Sequence, residues 1–400
     1  MSEATLAPAA EARLTLFALS LGNFVVGIAA FVVLGLMSTI TRSLAIDPSA
    51  GANLLTYYAV AYAIGSPLLI AITGRWPRRM VVAGAMLLVA VGSLACALAP
   101  SLGGMELARI VTAFGGGLYS PAASAVAVSL VPLERRGWAL SRVFIGFTAA
   151  QGIGNPIGAW LGYTFGWQSA FLLVGALAVV MALALWRIVP AATPFRPTSL
   201  SELARILTTP HMLVALLFTV FYVGAGYTTL TYLTLILETR LGMSGTGISI
   251  VLAIYGGMAF VAAVISGWLT DTFRPSRILL VLCLLLAILM PLVTQGPTDL
   301  VLATLVLAMW SLCSWSHFTA QQSRLVRINP AYAQLLLALN ASMLYIGIAT
   351  GSLLASKLLP IPEFMGLAIG ADVLLALAVI ILVIGDRMIR RRRDPISDQA

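Results

Sequence analysis

The sequence predicts an all-α polytopic membrane protein, with twelve transmembrane helices arranged as two six-helix, pseudo-symmetric halves. Three observations predict it. The chain is too apolar to cover itself with a hydrated surface, its apolar residues fall in long unalternating runs, and its second half repeats features of the first. Of 400 residues, 60% are apolar and 9% charged, with a mean hydropathy of +1.01. A soluble chain carries roughly 25% charged residues. Disorder needs low hydrophobicity, and three cysteines do not make a disulfide scaffold of this length. A membrane β-barrel would read as alternating segments of about 10 residues. Runs such as Leu279–Leu292 do not alternate, so helices remain.

A spanning helix needs roughly 20 apolar residues. Twelve such stretches lie near 14–41, 52–73, 80–99, 104–131, 143–163, 168–189, 211–237, 247–269, 278–294, 299–321, 333–358 and 364–385. The first is too long for a signal-peptide core and lacks a following small-residue cleavage site, so it is expected to stay. Orientation follows from cations in the connections. One set of ends and loops carries Arg13, Arg75, Arg78, Arg79, Arg135, Arg136, Arg142, Arg187, Arg196, Arg205, Arg274, Arg277, Arg324, Arg327, Arg387 and Arg390–Arg393. The opposite set carries only Arg42, Arg240 and Lys357. Both termini are therefore expected in the cytoplasm. The net charge of +9 is topological. The terminal arginines read as a membrane-surface anchor, and no aromatic-interleaved basic face suggests nucleic acid.

An offset near 197 relates the halves. Gly27 maps to Gly224, Gly154 to Gly351, and the Arg75–Arg79 loop to the Asp271–Arg277 loop. The expected division is a first half over 1–189, a proline-rich linker over 190–210, a second half over 211–386, and a basic tail over 387–400. Parallel repeats of this kind place a substrate site near the midplane and rock to give alternating access.

Polar residues within spans are costly and ask for a partner, a cavity or a function. Arg109 in span 4 costs at least about 2.5 kcal/mol on insertion scales; snorkelling to the surface is the alternative reading. Asn23 in span 1 and Asn340 in span 11 each need a hydrogen-bond partner, and a helix–helix bond of about 0.6 kcal/mol would serve. On span 10, Trp310, Ser314, His317 and Gln321 fall on one helical face at spacings of three and four. Tyr119, Gln151, Asn155, Tyr222 and Tyr227 are further cavity candidates, and packing is the alternative for each. Asp372 in span 12 is a carboxylate deep in a span, and with His317 it is a candidate proton carrier. Cys96, Cys283 and Cys313 lie apart in apolar surroundings and show no metal or redox spacing.

Four segments carry a family resemblance. Gly267-Trp-Leu-Thr-Asp271-Thr-Phe-Arg274-Pro-Ser-Arg277 is similar to a G-x-L-x-D-R-x-G-R-R loop. Its first-half copy keeps Arg75, Arg78 and Arg79 but has Gly74 at the acidic position. Arg109-Ile-Val-Thr112-Ala113-Phe-Gly115-Gly-Gly117 resembles R-x-x-x-G-x-G-x-G. Span 5 reads Gln151-Gly152-Ile-Gly154-Asn155-Pro156-Ile-Gly158, then Gly166-Trp167-Gln168 and Phe171. Gln321-Gln322-Ser-Arg324, with Asn23 and Asn340, completes the set. From these segments the chain is identified as resembling the major facilitator superfamily, within it the twelve-span drug–proton antiporters and their sugar and purine exporter branch.

The resemblance implies a secondary transporter exporting a small organic molecule, such as a drug, sugar or nucleobase-like compound, in exchange for protons. A facilitative or uptake carrier on the same fold is the alternative. The resemblance makes Arg75, Arg78, Arg79, Gly267, Asp271 and Arg277 a gating motif. It makes Gly152, Gly154, Pro156 and Gly158 a helix-packing motif, since small residues let backbones approach. The expected partners are the substrate, protons and the lipid bilayer of a bacterial inner membrane. A monomer with no cofactor and no metal is expected. An enzyme would need ligands or a nucleophile–base pair, which two histidines, His211 and His317, and no H-E-x-x-H do not supply.

Overall fold

The computed structural model describes residues 9–132, 135–190 and 200–393. Most of the expected linker (191–199), with Arg196, lies outside the described residues, as does the end of the tail (394–400). The side chains of Arg136 and Arg390–Arg393 are likewise outside the description.

The described chain is helical and contains no strand. In order come α1 (Ala9–Ser43), α2 (Pro48–Gly51), α3 (Asn53–Ile72), α4 (Arg78–Leu98), α5 (Leu102–Ser129), α6 (Arg136–Phe165) and α7 (Trp167–Ile188). There follow α8 (Leu200–Leu207), α9 (Pro210–Leu230), α10 (Leu233–Leu241), α11 (Gly245–Thr272), α12 (Pro275–Gln295), α13 (Leu300–Ile328), α14 (Ala333–Leu358) and α15 (Met365–Arg393). Every expected span lies on helix. Among the described residues, eleven helical segments are long and apolar enough to cross a membrane. The remaining expected span is α6, whose glycines, Gln151, Asn155 and Pro156 lower its hydropathy.

Local chemistry sets the ends. Ser101, Ser244 and Asp299 cap α5, α11 and α13 by accepting from the amides of Gly104, Gly247 and Leu302. Pro48, Pro210 and Pro275 open α2, α9 and α12, where a missing N–H costs nothing. Asp47 caps α2, and its bonds to Ser49 hold the carboxyl below the usual range. Gly166 joins α6 to α7 with φ +87°, a conformation open to glycine and strained for other residues.

One span departs from expectation. The apolar stretch over 211–237 is not a single helix but breaks between α9 and α10 at Thr231 and Tyr232. Thr228 and Thr231 bond their hydroxyls back to the carbonyls of Gly224 and Tyr227. The Tyr232 amide bonds only three residues back, to Thr229. Hydroxyl back-bonding of this kind bends helices.

The chain forms two compact units. One contains the described residues up to Ala45 and from Ala61 to the end of α7; the other contains residues 46–60 and everything from α8 onward. In the first unit α1 lies along α6. A Cβ at Gly158 would sit 2.5 Å from Val32, one at Gly154 2.9 Å from Ile28, and one at Gly35 2.8 Å from the Asn155 carbonyl. Gly146 packs against the Ser20 carbonyl. In the second unit α9 lies along α14 in the same manner, with Gly351 against the Gly224 carbonyl. Both glycine pairs that mark the sequence repeat thus sit on the corresponding helix seam of their own unit. A second-unit core gathers Ile206, Met212, Leu216, Leu325, Leu336 and Met343. Ala52 packs with Tyr232, Ile236, Ala355 and Leu367, which ties residues 46–60 to that unit. Outward faces stay apolar: Phe260, Val264 and Trp268, one turn apart on α11, are all exposed, as a lipid-facing stripe should be.

Candidate functional site

In the first unit, three helices meet at Asn23. Its side chain is fully buried, donates to the Val143 carbonyl of α6 at 3.1 Å and accepts from Ser120 of α5 at 2.8 Å. The preceding residue on α5, Tyr119, donates its hydroxyl to the Leu19 carbonyl at 3.0 Å and fills the space beside Gly22. A buried Asn must find partners, and these hold α1, α5 and α6 in register.

Arg109 lies elsewhere on α5. It is 1% exposed and does not snorkel. Its guanidinium fork bonds two successive carbonyls of α1, those of Ala29 and Ala30, the second at 2.9 Å. Charge-assisted bonds of this type are stronger than neutral ones. Asn155 is buried on α6, and its Oδ1 has no partner among the described residues. Gln151 and Gly152 are half-buried, so within the packing motif it is Gly154 and Gly158 that meet α1. Pro156 sits inside α6.

The second unit builds a similar junction with different residues. Thr219 of α9 donates to Asn340 Oδ1 of α14 at 2.6 Å. Gln321 of α13 donates through Nε2 to Thr219 Oγ1 at 3.1 Å and to the Ala215 carbonyl at 2.8 Å. Val143, whose main-chain carbonyl accepts from Asn23, and Asn340, whose side-chain Oδ1 accepts from Thr219, are related by the 197-residue offset. Thr219 was not among the sequence candidates. The signal for it is its place one residue from the image of Asn23.

One turn further along α13, the His317 ring stacks on Tyr222 at 4.5 Å and 33°. Tyr222 donates to the Cys313 carbonyl at 2.9 Å. Trp310 is fully buried with its ring 5.2 Å from Tyr255. Between Trp310 and Gln321 four polar atoms on this face have no partner among the described residues: Trp310 Nε1, Ser314 Oγ, His317 Nε2 and Gln321 Oε1. Tyr227 is buried on α9 but joins none of these bonds. Asp372 is half-buried on α15, and its Oδ1 also lacks a partner among the described residues.

The residues of the expected gating motif divide. Arg75 is exposed; Arg78 is buried and bonds the Gly74 carbonyl at 3.3 Å; Arg79 lies 5.0 Å over the Trp186 ring. Gly267 is half-buried, while Asp271 and Arg277 are both exposed and do not form an ion pair with each other. An ion pair at this end of the second unit joins Arg324 to Asp386 at 3.0 Å, with Ser276 donating to the same carboxylate oxygen at 3.1 Å. Arg327 bonds the Thr270 carbonyl at 3.2 Å. Asp386 escaped the sequence reading because it lies at the end of a span among arginines, where charge is unremarkable.

The family model described as Major Facilitator Superfamily matches residues 19–352. The chain is 28% identical over 340 residues to the MFS-type transporter YbcL of Bacillus subtilis (strain 168), covering 84% of this chain and 86% of that one. It is 28% identical over 338 residues to the inner membrane transport protein YdhP of Escherichia coli (strain K12), with 84% and 86% covered. Among solved structures, a bacterial homologue of the human lysosomal transporter Spinster aligns with TM-score 0.74 at 18% identity, covering 96% of this chain and 97% of that one. The nucleoside transporter NupG aligns with TM-score 0.74 at 14% identity, covering 94% and 99%. Twelve expected spans on helix, a structural repeat, and a match over most of the chain lead to one conclusion: this chain belongs to the major facilitator superfamily.

Proposed function

We propose that the chain exports a small neutral organic molecule across a bacterial inner membrane, by alternating access and in exchange for protons. The observation that carries the reading is the face of α13. Between Trp310 and Gln321 it holds four buried polar atoms without partners among the described residues, set among aromatic rings. Buried polar groups are normally satisfied, so a helix that leaves a row of them unsatisfied is suited to bind a polar solute. Trp310, Ser314 and Gln321 carry no formal charge and Arg324, next on the same face, is paired with Asp386, which suits a drug, sugar or nucleobase-like molecule over an ion.

Coupling has two candidate carriers, His317 and Asp372. Span 1, between residues 14 and 41, contains no acidic residue. That feature favours the second reading, a carrier that runs without a proton gradient. Arg324 with Asp386, beside the loop from Asp271 to Arg277, forms the second-half gate in this proposal. Arg75, Arg78 and Arg79 serve the first half. The protein works as a monomer with both termini in the cytoplasm.

The test is expression in an efflux-deficient bacterium challenged with a toxicant panel at several external pH values. Export predicts resistance to at least one compound and raised accumulation of it when a protonophore is added. Resistance that ignores the protonophore selects the gradient-independent carrier. Sensitisation to a compound in place of resistance selects uptake.

A further inference from the structure

We propose that α13 reads its substrate through two hydrogen-bond acceptors, His317 Nε2 and Gln321 Oε1, and so selects a neutral solute presenting two adjacent O–H or N–H donors. This deepens the transport proposal above and rests on it.

The roles of both atoms follow from their neighbours. A carbonyl oxygen only accepts. The Gln321 amide atom facing the Ala215 carbonyl at 2.8 Å must therefore be its nitrogen. The second proton on that nitrogen goes to Thr219 Oγ1 at 3.1 Å. Thr219 has already given its own proton to Asn340 Oδ1. The chain of donors runs one way, from Gln321 through Thr219 to Asn340. Flipping the amide would set oxygen against the Ala215 carbonyl and reverse the order at Thr219. Gln321 Oε1 is thus held as an acceptor in a residue that is fully buried.

His317 is fixed by the same logic. Its Nδ1 meets the Ser314 carbonyl and must donate. In a neutral imidazole one nitrogen donates and the other accepts, so Nε2 carries the lone pair. The ring is held by its stack on Tyr222. Nε2, like Gln321 Oε1, has no partner among the described residues. The two residues are four apart on one helix, which makes them neighbours on its surface. Both side chains also engage α9, through Ala215, Thr219 and Tyr222, so they stand on the same side of α13.

Two fixed acceptors one turn apart complement two donors on one small molecule. A solute whose donors are alkylated leaves both acceptors unpaired. Sites built to hydrogen-bond a donor reject the analogue lacking it strongly, whereas apolar pockets discriminate weakly. Vicinal hydroxyls of a polyol and the amino edge of a heterocycle share this chemistry.

The first arm of the test needs no substrate. The full chain has two histidines, His211 and His317. With 15N-labelled histidine in lipid nanodiscs, a His211→Gln variant assigns the remaining ring. The expected spectrum at neutral pH has a proton on Nδ1 of His317 and none on Nε2. A proton on Nε2, in either the other tautomer or the imidazolium, overturns the proposal.

The second arm measures efflux from loaded proteoliposomes of myo-inositol, adenine, the fully methylated derivative of each, and tetraphenylphosphonium. At least one donor-bearing probe should leave about tenfold faster or more than its methylated partner. That ratio should fall towards one in His317→Phe, which keeps a ring against Tyr222, and in Gln321→Met, with flux taken per inserted protein. The two probe families separate a hydroxyl source from an amino source. Equal rates within each pair, or a preference untouched by both substitutions, overturn the two-acceptor reading and leave transport standing. Movement of tetraphenylphosphonium alone does the same. No movement of any probe overturns the substrate class and counts against the transport proposal itself.

Discussion

Arg324 and Asp386 form a 3.0 Å ion pair between the ends of α13 and α15, with the arginine 4% exposed and the aspartate 28%. The second nitrogen and Nε of the guanidinium have no other partner among the described residues. Removing one member of such a pair strands a buried charge, whereas replacing both by apolar groups is often tolerated. Asp386→Ala should therefore lower the thermal midpoint of the purified protein, and Arg324→Leu with Asp386→Leu should restore much of it. If the pair serves the gate, the double variant stays impaired in flux. Recovery of both stability and flux would reduce the pair to packing. Asp271→Asn, at an exposed position without that partner, should leave the midpoint unchanged.

The α1–α6 seam predicts a different kind of damage. Gly158 faces Val32 and Gly154 faces Ile28, with no room for a further methyl group without movement. Overpacking a tight core costs typically about 1–3 kcal/mol. Gly158→Val should lower the thermal midpoint and the yield of inserted protein. Gly84→Ala, where nothing lies within reach of the new Cβ, should not. The same contrast holds in the second unit, with Gly351→Val against Gly257→Ala.

The helices were legible because each is a long apolar run and needs no tertiary information to be recognised. Even so, α9 and α10 read as one span, since hydropathy does not register Thr228 and Thr231 turning their hydroxyls onto the backbone. Polar residues inside spans flagged themselves by their cost. Their partners did not, because Asn23 meets Ser120 across 97 residues and Arg324 meets Asp386 across 62. The loop motif drew attention to Asp271, whose charge stands out after a span. Asp386 beside Arg387 does not stand out, and it is the carboxylate that is paired. Which of two amide atoms or ring nitrogens remains open, as at Gln321 and His317, is fixed only by three-dimensional neighbours.

The distribution of arginine predicts the topology. Reporter fusions at Arg79, Arg136, Phe195, Arg274 and Arg327 should report the cytoplasm, and those at Asp47, Gly296 and Pro362 the outside. Nineteen cations on one side against three on the other set the expectation. A single inverted site in the second half would break the twelve-span arrangement.

Arg109 poses the sharpest choice between structure and transport. Its charge is permanent, because a guanidinium does not give up its proton in proteins, so it shuttles no proton itself. Its two bonds to the carbonyls of Ala29 and Ala30 tie α5 to the middle of α1. Hydrogen bonds to charged groups contribute about 1.5–3 kcal/mol each. Arg109→Ala should therefore lower the thermal midpoint and abolish flux. Lysine keeps the charge but loses the planar fork, so it reaches one carbonyl where arginine reaches two. Arg109→Lys should retain an intermediate midpoint and part of the flux. Arg109→Gln separates the causes. It offers two N–H donors without charge, and matches Lys if hydrogen bonding is what matters and Ala if charge is. Flux must be expressed per inserted protein, because loss of the α1–α5 tie also reduces insertion. If a well-inserted Arg109→Ala melts at the parental temperature and transports at the parental rate, the bonds to α1 carry neither stability nor function.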